Sequence, residues 1–203
     1  YNDSLKYHNL AIKTINKMSP LIFTNYTKCL ADNYYGLGNC YRMMGNEESF
    51  EDEYLKAIEL YKQLYKSQGK TIDKANSSAF WTLSAIAQCY SELKMHEKSA
   101  DYYEKAYERF LLVFGMNNPQ TEVVHDSLLT EYREIWGCES EIKIFEKEYE
   151  IICKCYGEKH PDTLTAQHEL AYCCAELGDY KRATELFHKV YDLRCEVLGS
   201  DHA

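Results

Sequence analysis

The segment HELAY, His168 to Tyr172, opens like the helix of a zinc hydrolase, in which two histidines four apart hold the metal and the glutamate between them acts as base. Tyr172 stands where the second histidine has to be. That chemistry is closed to it. His125 and Asp126 are adjacent, and neighbours on a helix do not face each other, so the pair reads as one core-side and one groove-side residue rather than a dyad. Cys153 and Cys155 are two apart and point to opposite sides of a helix; no CxxC pair is present to chelate zinc. Cys155 and His160 would form a thiol–imidazole pair only by coincidence. His160-Pro161-Asp162, inside YGEKHPDT (Tyr156 to Thr163), looks at first like part of an active site. No GxSxG, Walker or dinucleotide-binding fingerprint appears, so we expect no catalytic residue, no metal and no cofactor.

The YGEKHPDT block has another origin. Reading back 42 residues gives FGMNNPQT, Phe114 to Thr121, and reading forward 42 gives LGSDHA. Gly115, Gly157 and Gly199 keep this spacing, as do Pro119 and Pro161, and Tyr103, Phe145 and Phe187. Tyr90, Tyr132 and Cys174 hold the same register inside the units, so the chain is a repeat array. One step earlier the spacing stretches to 49, from Cys40-Tyr41 to Cys89-Tyr90, and SQGKTIDKANSS (Ser67 to Ser78) is read as a lengthened loop.

Apolar residues within a unit recur at helical spacing, as in Tyr34, Leu37, Gly38, Tyr41 and then Phe50, Tyr54, Ala57, Tyr61. Each unit is therefore two helices joined by a short turn: GNEE at Gly45, KMHE at Lys94, WGCE at Trp136, LGDY at Leu177. The pattern predicts helices at about 1–18, 22–44, 47–67, 76–94, 96–114, 119–136, 139–156, 161–177 and 180–198. In this scheme Gly157 ends one hairpin, His160 caps the next helix, Pro161 starts it and Asp162 lies in its first turn, where the helix dipole favours an anion.

Composition narrows the partners. A net charge of -9 and a pI near 5.3 work against binding nucleic acid or an anionic membrane, both of which need clustered Lys and Arg. The longest apolar run, FLLVFG, is far short of the ~20 residues of a membrane helix, and no basic-then-apolar leader opens the chain. With Cys40, Cys89, Cys173 and Cys174 inside apolar helical patterns, the nine cysteines read as reduced, buried thiols and the location as cytoplasmic. The acidic runs GNEESFEDE and EKEYE fall on second helices and read as a solvated outer face.

The unit resembles a tetratricopeptide repeat. Tyr34, Leu37, Gly38, Tyr41 and Gly45-Asn46 carry the likeness in the first unit, and Leu170, Ala171, Gly178-Asp179-Tyr180, Ala183 and Phe187 in the last. The 42-residue length and the G-x-x-H-P-D-T junction are similar to the kinesin-light-chain subgroup. The resemblance implies an all-α, right-handed superhelical solenoid of antiparallel hairpins, about four and a half repeats. Residues 1–20 would be the second helix of a preceding repeat, with further repeats at 21–68, 75–115, 118–157 and 160–199, the whole being a fragment of a longer protein. The third repeat departs from the family pattern: Leu129, Glu141 and Glu148 replace small residues and Trp136 stands at the turn. A widened or rotated hairpin is expected there.

In such a solenoid the first helices line the concave face. The stripe beside the core positions is Tyr35, Asn39, Arg42, then Ser84, Gln88, then Asp126, Thr130, Arg133, then His168, Tyr172, with Trp81 in an earlier slot shared with Asp32. Asn39, Gln88, Thr130 and Tyr172 supply one hydrogen-bonding side chain per repeat, a ladder suited to a peptide or protein ligand. The expected function is a non-enzymatic protein-interaction module. The alternative is a structural or sensor arm of a larger signalling protein, NLR-like or a signalling ATPase, whose partners are other domains of the same longer chain.

Overall fold

The computed structural model describes residues 2–16, 23–68, 77–137 and 141–198. Within them lie nine helices and no strand: α1 (Asn2–Ile15), α2 (Phe23–Met43), α3 (Glu47–Gln68), α4 (Ser77–Glu92), α5 (His96–Phe114), α6 (Pro119–Trp136), α7 (Glu141–Tyr156), α8 (Pro161–Glu176) and α9 (Tyr180–Leu198). The fold is an all-α helical repeat. Expected and observed helix ends agree within three residues. Most of the expected lengthened loop, 69–76, lies outside the described residues, as does the closing GSDHA from 199. No helix among the described residues is long and apolar enough to cross a membrane.

Local chemistry sets the helix boundaries. Asn118 caps α6 by accepting from the Gln120 amide at 2.9 Å, and His160 caps α8 by accepting from the Asp162 amide through Nδ1 at 3.2 Å, each with proline at the first helical position. The His-Pro-Asp triplet is therefore a helix start. At the hairpin turns the amides of Asn46, Met95 and Asp179 bond back to the carbonyls of Tyr41, Tyr90 and Cys174, and those of Gly45, Lys94 and Gly178 to Arg42, Ser91 and Ala175. This is one doubly bonded stop used three times, and it needs a left-handed residue at its centre. Gly45 and Gly178 supply it, while Lys94 adopts it at φ 58 despite its side chain. The third turn differs: the Gly137 amide bonds only to the Arg133 carbonyl and its backbone leaves in another direction.

Backbone contacts gather into two compact units, Tyr1–Ala106 and Tyr107–Ala203. In the first, Tyr54 is fully buried with Ala31, Ala57, Ile58, Tyr61 and Ile86 around it, and Ile12, Leu30 and Leu37 form a second cluster under α1. α2 and α3 lie against each other along their length. A Cβ on Gly38 would sit 2.7 Å from the Tyr54 ring, so the missing side chain is what lets the helices close. The Ser99 hydroxyl ties α5 to α4 by donating to the Ala87 carbonyl at 2.9 Å, a buried hydrogen bond.

In the second unit α8 and α9 pack closely around Leu170, Cys174 and Ala183, and α7 packs on α8, whereas α6 and α7 approach each other at few positions. In the hairpin expected to be widened, the two helices meet at few backbone positions. Two expectations need correction. Glu148, read as part of a solvated outer face, is buried, because it lies on the side of α7 that meets His125 of α6. The thiols are not uniformly buried: Cys40, Cys89, Cys173 and Cys174 are, but Cys29 is exposed and Cys153, Cys155 and Cys195 are half-buried; these eight are free.

Candidate functional site

The expected stripe behaves differently in the two units. In the first, α2 presents Tyr35, Asn39 and Arg42 on one face, and all three are engaged. The Tyr54 hydroxyl donates to Asn39 Oδ1 at 2.6 Å, Tyr35 bonds the same asparagine, and its ring lies 5.7 Å from that of Tyr54. Burial pushes the Tyr54 phenol up to about 12, so it stays a neutral donor at ordinary pH. Arg42 Nε pairs with Glu92 Oε2 at 3.0 Å, linking α2 to α4. Asn39 was expected to face a peptide; its acceptor is already committed, because Tyr54 needs a partner for a buried hydroxyl. On α4, Ser84 is half-buried with its hydroxyl toward the Phe80 carbonyl, 3.4 Å away, and Gln88 is exposed. Trp81, 40% exposed, lines a cavity of about 280 Å³ with Asp32, whose carboxylate accepts from the Tyr61 hydroxyl at 2.6 Å.

In the second unit a cavity of about 560 Å³ opens between α6, α7 and α8. Of the expected residues, Arg133, His168 and Tyr172 line it. Asp126 and Thr130 are exposed but do not, and Thr130 gives its hydroxyl proton to the Asp126 carbonyl at 2.9 Å. The α6 wall is instead His125, Leu129 and Arg133, a stripe one position earlier for its first two members. α7 contributes Glu141, Ile144, Phe145 and Glu148, and α8 adds Glu169, Cys173 and Glu176.

Four glutamates thus face one space from two antiparallel helices. Glu141 and Glu148 are seven apart on α7, as are Glu169 and Glu176 on α8, which puts two acidic levels about 10 Å apart along the helix axes. Glu148 and Glu169 form one level: burial and the nearby Glu148 charge raise the Glu169 pKa against the opposing pull of His168 and His125. Glu141 and Glu176 form the other, and both act, after burial, to raise the Cys173 thiol. Tyr172, 57% exposed, has its hydroxyl against Glu176, which raises its pKa. His168 meets the Phe187 ring edge-on at 5.2 Å.

Glu148 and His125 sit at the floor. Oε1 of Glu148 is 2.9 Å from Nε2 of His125, and the imidazole stacks on Tyr107 with ring centres 5.1 Å apart. The contact is an ion pair when the imidazole is protonated, and its ring N–H points off the line to the oxygen, so it makes no well-aligned hydrogen bond. Burial alone would lower the His125 pKa, but Glu148, with Asp126 and Glu169 behind it, raises it overall. Sequence reasoning did not select His125, Glu148, Glu169, Glu141 or Glu176 for the groove. For Glu148 and Glu169 the signal was present in large acidic side chains at positions where earlier repeats carry Ala57 and Ala106, and Gly36, Ala85 and Ser127.

Two family models, both described as tetratricopeptide repeat, match residues 31–70 with 82–110 and residues 142–196, together more than half of the chain. No curated protein matches the sequence. Among solved structures, the chain is similar to kinesin light chain nearly identical TPR-like repeats from Podosopora anserina in two crystal structures. One is 15% identical with TM-score 0.42 over 95% of each chain, the other 14% identical with TM-score 0.43 over 94% of each. It is also similar to BtubC (BKLC) from P. vanneervenii, 13% identical with TM-score 0.48, over 96% of this chain and 74% of that one. With helix hairpins, repeated stops and family matches all in register, the chain belongs to the tetratricopeptide repeat family, whose repeats are in general protein–protein interaction modules and typically non-catalytic scaffolds.

Proposed function

We propose that this chain holds a peptide or protein segment against the exposed faces of its first helices. One observation carries the reading: Arg133 on α6 and His168 and Tyr172 on α8, chosen as partner-facing, come together around one open cavity. Convergent polar groups with an exposed aromatic beside an apolar wall are what an anchoring side chain of a partner requires. The exposed Gln88 and Trp81 of the first unit offer further contacts of the same kind.

The test is selection from a displayed random-peptide library, run in parallel on the chain and on an Arg133→Ala, His168→Ala, Tyr172→Ala variant. All three side chains are exposed, so their truncation leaves the fold intact. We expect a peptide motif that the variant fails to enrich. A library that yields nothing, or hits the variant retains, overturns the reading.

A further inference from the structure

We propose that the cavity of the second unit receives a basic side chain, a lysine or arginine of the partner segment; this deepens the groove reading above and rests on it. Charge selects the guest. Among the described residues lining the space, four glutamates stand against a single arginine, and two imidazoles add at most partial positive charge near neutral pH. An anionic guest is repelled. Among the described residues no group of three or more His, Cys, Asp or Glu has the arrangement that would hold a metal ion, which favours an organic cation.

Depth and shape agree with charge. The Glu148 side chain is only 8% exposed yet borders the cavity, and its neighbour of opposite sign, His125, meets it out of line. A carboxylate has about four acceptor positions, so most of the capacity of Glu148 is unused at the bottom of the space. A guanidinium or ammonium group inserted there supplies the missing donors as charge-assisted hydrogen bonds and relieves the repulsion between Glu148 and Glu169. Leu129, Ile144 and Phe145 form the apolar wall along which the methylene stem of such a side chain would lie. The cavity volume of about 560 Å³ holds one long side chain with some of its flanking backbone.

The test is backbone amide NMR of the whole chain titrated with N-acetyl-lysine methylamide, N-acetyl-arginine methylamide and, as an uncharged isostere, N-acetyl-norleucine methylamide. We expect shifts at Glu148, Glu169 and Tyr172 with the two cations, weakened by salt and absent with norleucine. Glu169→Gln, at an exposed position that does not endanger folding, is expected to weaken them about tenfold, the size of one charge-assisted hydrogen bond. Equal shifts from norleucine, no shifts from either cation, or an unaffected Glu169→Gln variant overturn the proposal. The two readings fail separately: selected peptides without a fixed basic position remove the cation pocket and leave the groove, whereas cation titration without any selected peptide leaves the pocket and removes the groove.

Discussion

The first and second units share one plan, paired helices with the same stop at three of four hairpin turns, yet they treat their polar faces in different ways. In the first, Gly38 lets the Tyr54 ring approach, and the Tyr54 hydroxyl then occupies Asn39. In the second, Glu148 fills the place of a small residue, α6 and α7 stand apart, and Arg133, His168 and Tyr172 border open space. Side-chain volume at the helix crossing goes with the difference: beside Gly38 the stripe bonds within the fold, and beside the larger Leu129 and Glu148 it borders open space. Close packing consumes hydrogen-bonding capacity, and a propped hairpin leaves it available.

The sharpest way to break this comparison is to prop open the first unit. Gly38→Ala places a methyl 2.7 Å from a Tyr54 ring that Tyr35 and Phe50 hold in place, and is expected to cost about 1–3 kcal/mol by overpacking. Urea unfolding monitored by far-UV circular dichroism measures it. An unchanged midpoint would show that the close approach is not what holds α2 to α3.

A smaller effect belongs to the second unit and to pH. The folded-state pKa of His125 lies above the ordinary 6.5, so the fold binds that proton more tightly than the unfolded chain does. Its stabilisation is complete below 6.5 and is lost as pH rises through the raised folded value. Glu169, also raised, acts in the same direction from 4.5 upward. Thermal stability is therefore expected to fall from pH 6 to pH 8 through these groups. In Glu148→Gln, burial acts on His125 against only the weaker pull of Asp126 and Glu169, and the contribution of His125 to the pH slope should shrink. An unchanged pH slope in that variant removes Glu148 as the counter-charge.

The smallest effect compares the turns. Lys94 and Gly178 occupy the same left-handed position, at φ 58 and φ 84. Lys94→Gly is expected to gain a few tenths of a kcal/mol, the relieved backbone strain being offset by glycine's greater freedom when unfolded, and Gly178→Ala to lose about 1 kcal/mol. Thermal unfolding of the two variants beside the parent chain measures both. A loss on Lys94→Gly would mean that the lysine side chain contributes more to the turn than its backbone strain costs.

The helices, their caps and three of the four turns were legible because each depends on residues within a few positions of one another. Asn118 and His160 cap the helices that begin just after them, and Gly45 and Gly178 stop the helices that end just before them. The few backbone approaches between α6 and α7 also fit the sequence, since Leu129 and Glu148 stand where earlier repeats carry Gly38 and Ala87, and Ala57 and Ala106. Within the stripe, legibility ran out. Nothing local distinguishes Asn39, held by a tyrosine fifteen residues away, from Gln88, which is exposed. Asp126 and Thr130 were expected on the partner-facing stripe, but His125 and Leu129, one position earlier on α6, line the cavity instead.

By itself, then, the amino-acid sequence determined the repeat period, the helix hairpins, their stops and the family, because periodic apolar positions and capping residues act through the backbone nearby. Only the tertiary structure decided which polar side chains are spent inside the fold and which carboxylates converge on one space. That outcome depends on how closely two helices approach, and the approach is set by side chains that meet across the crossing, far apart in the chain.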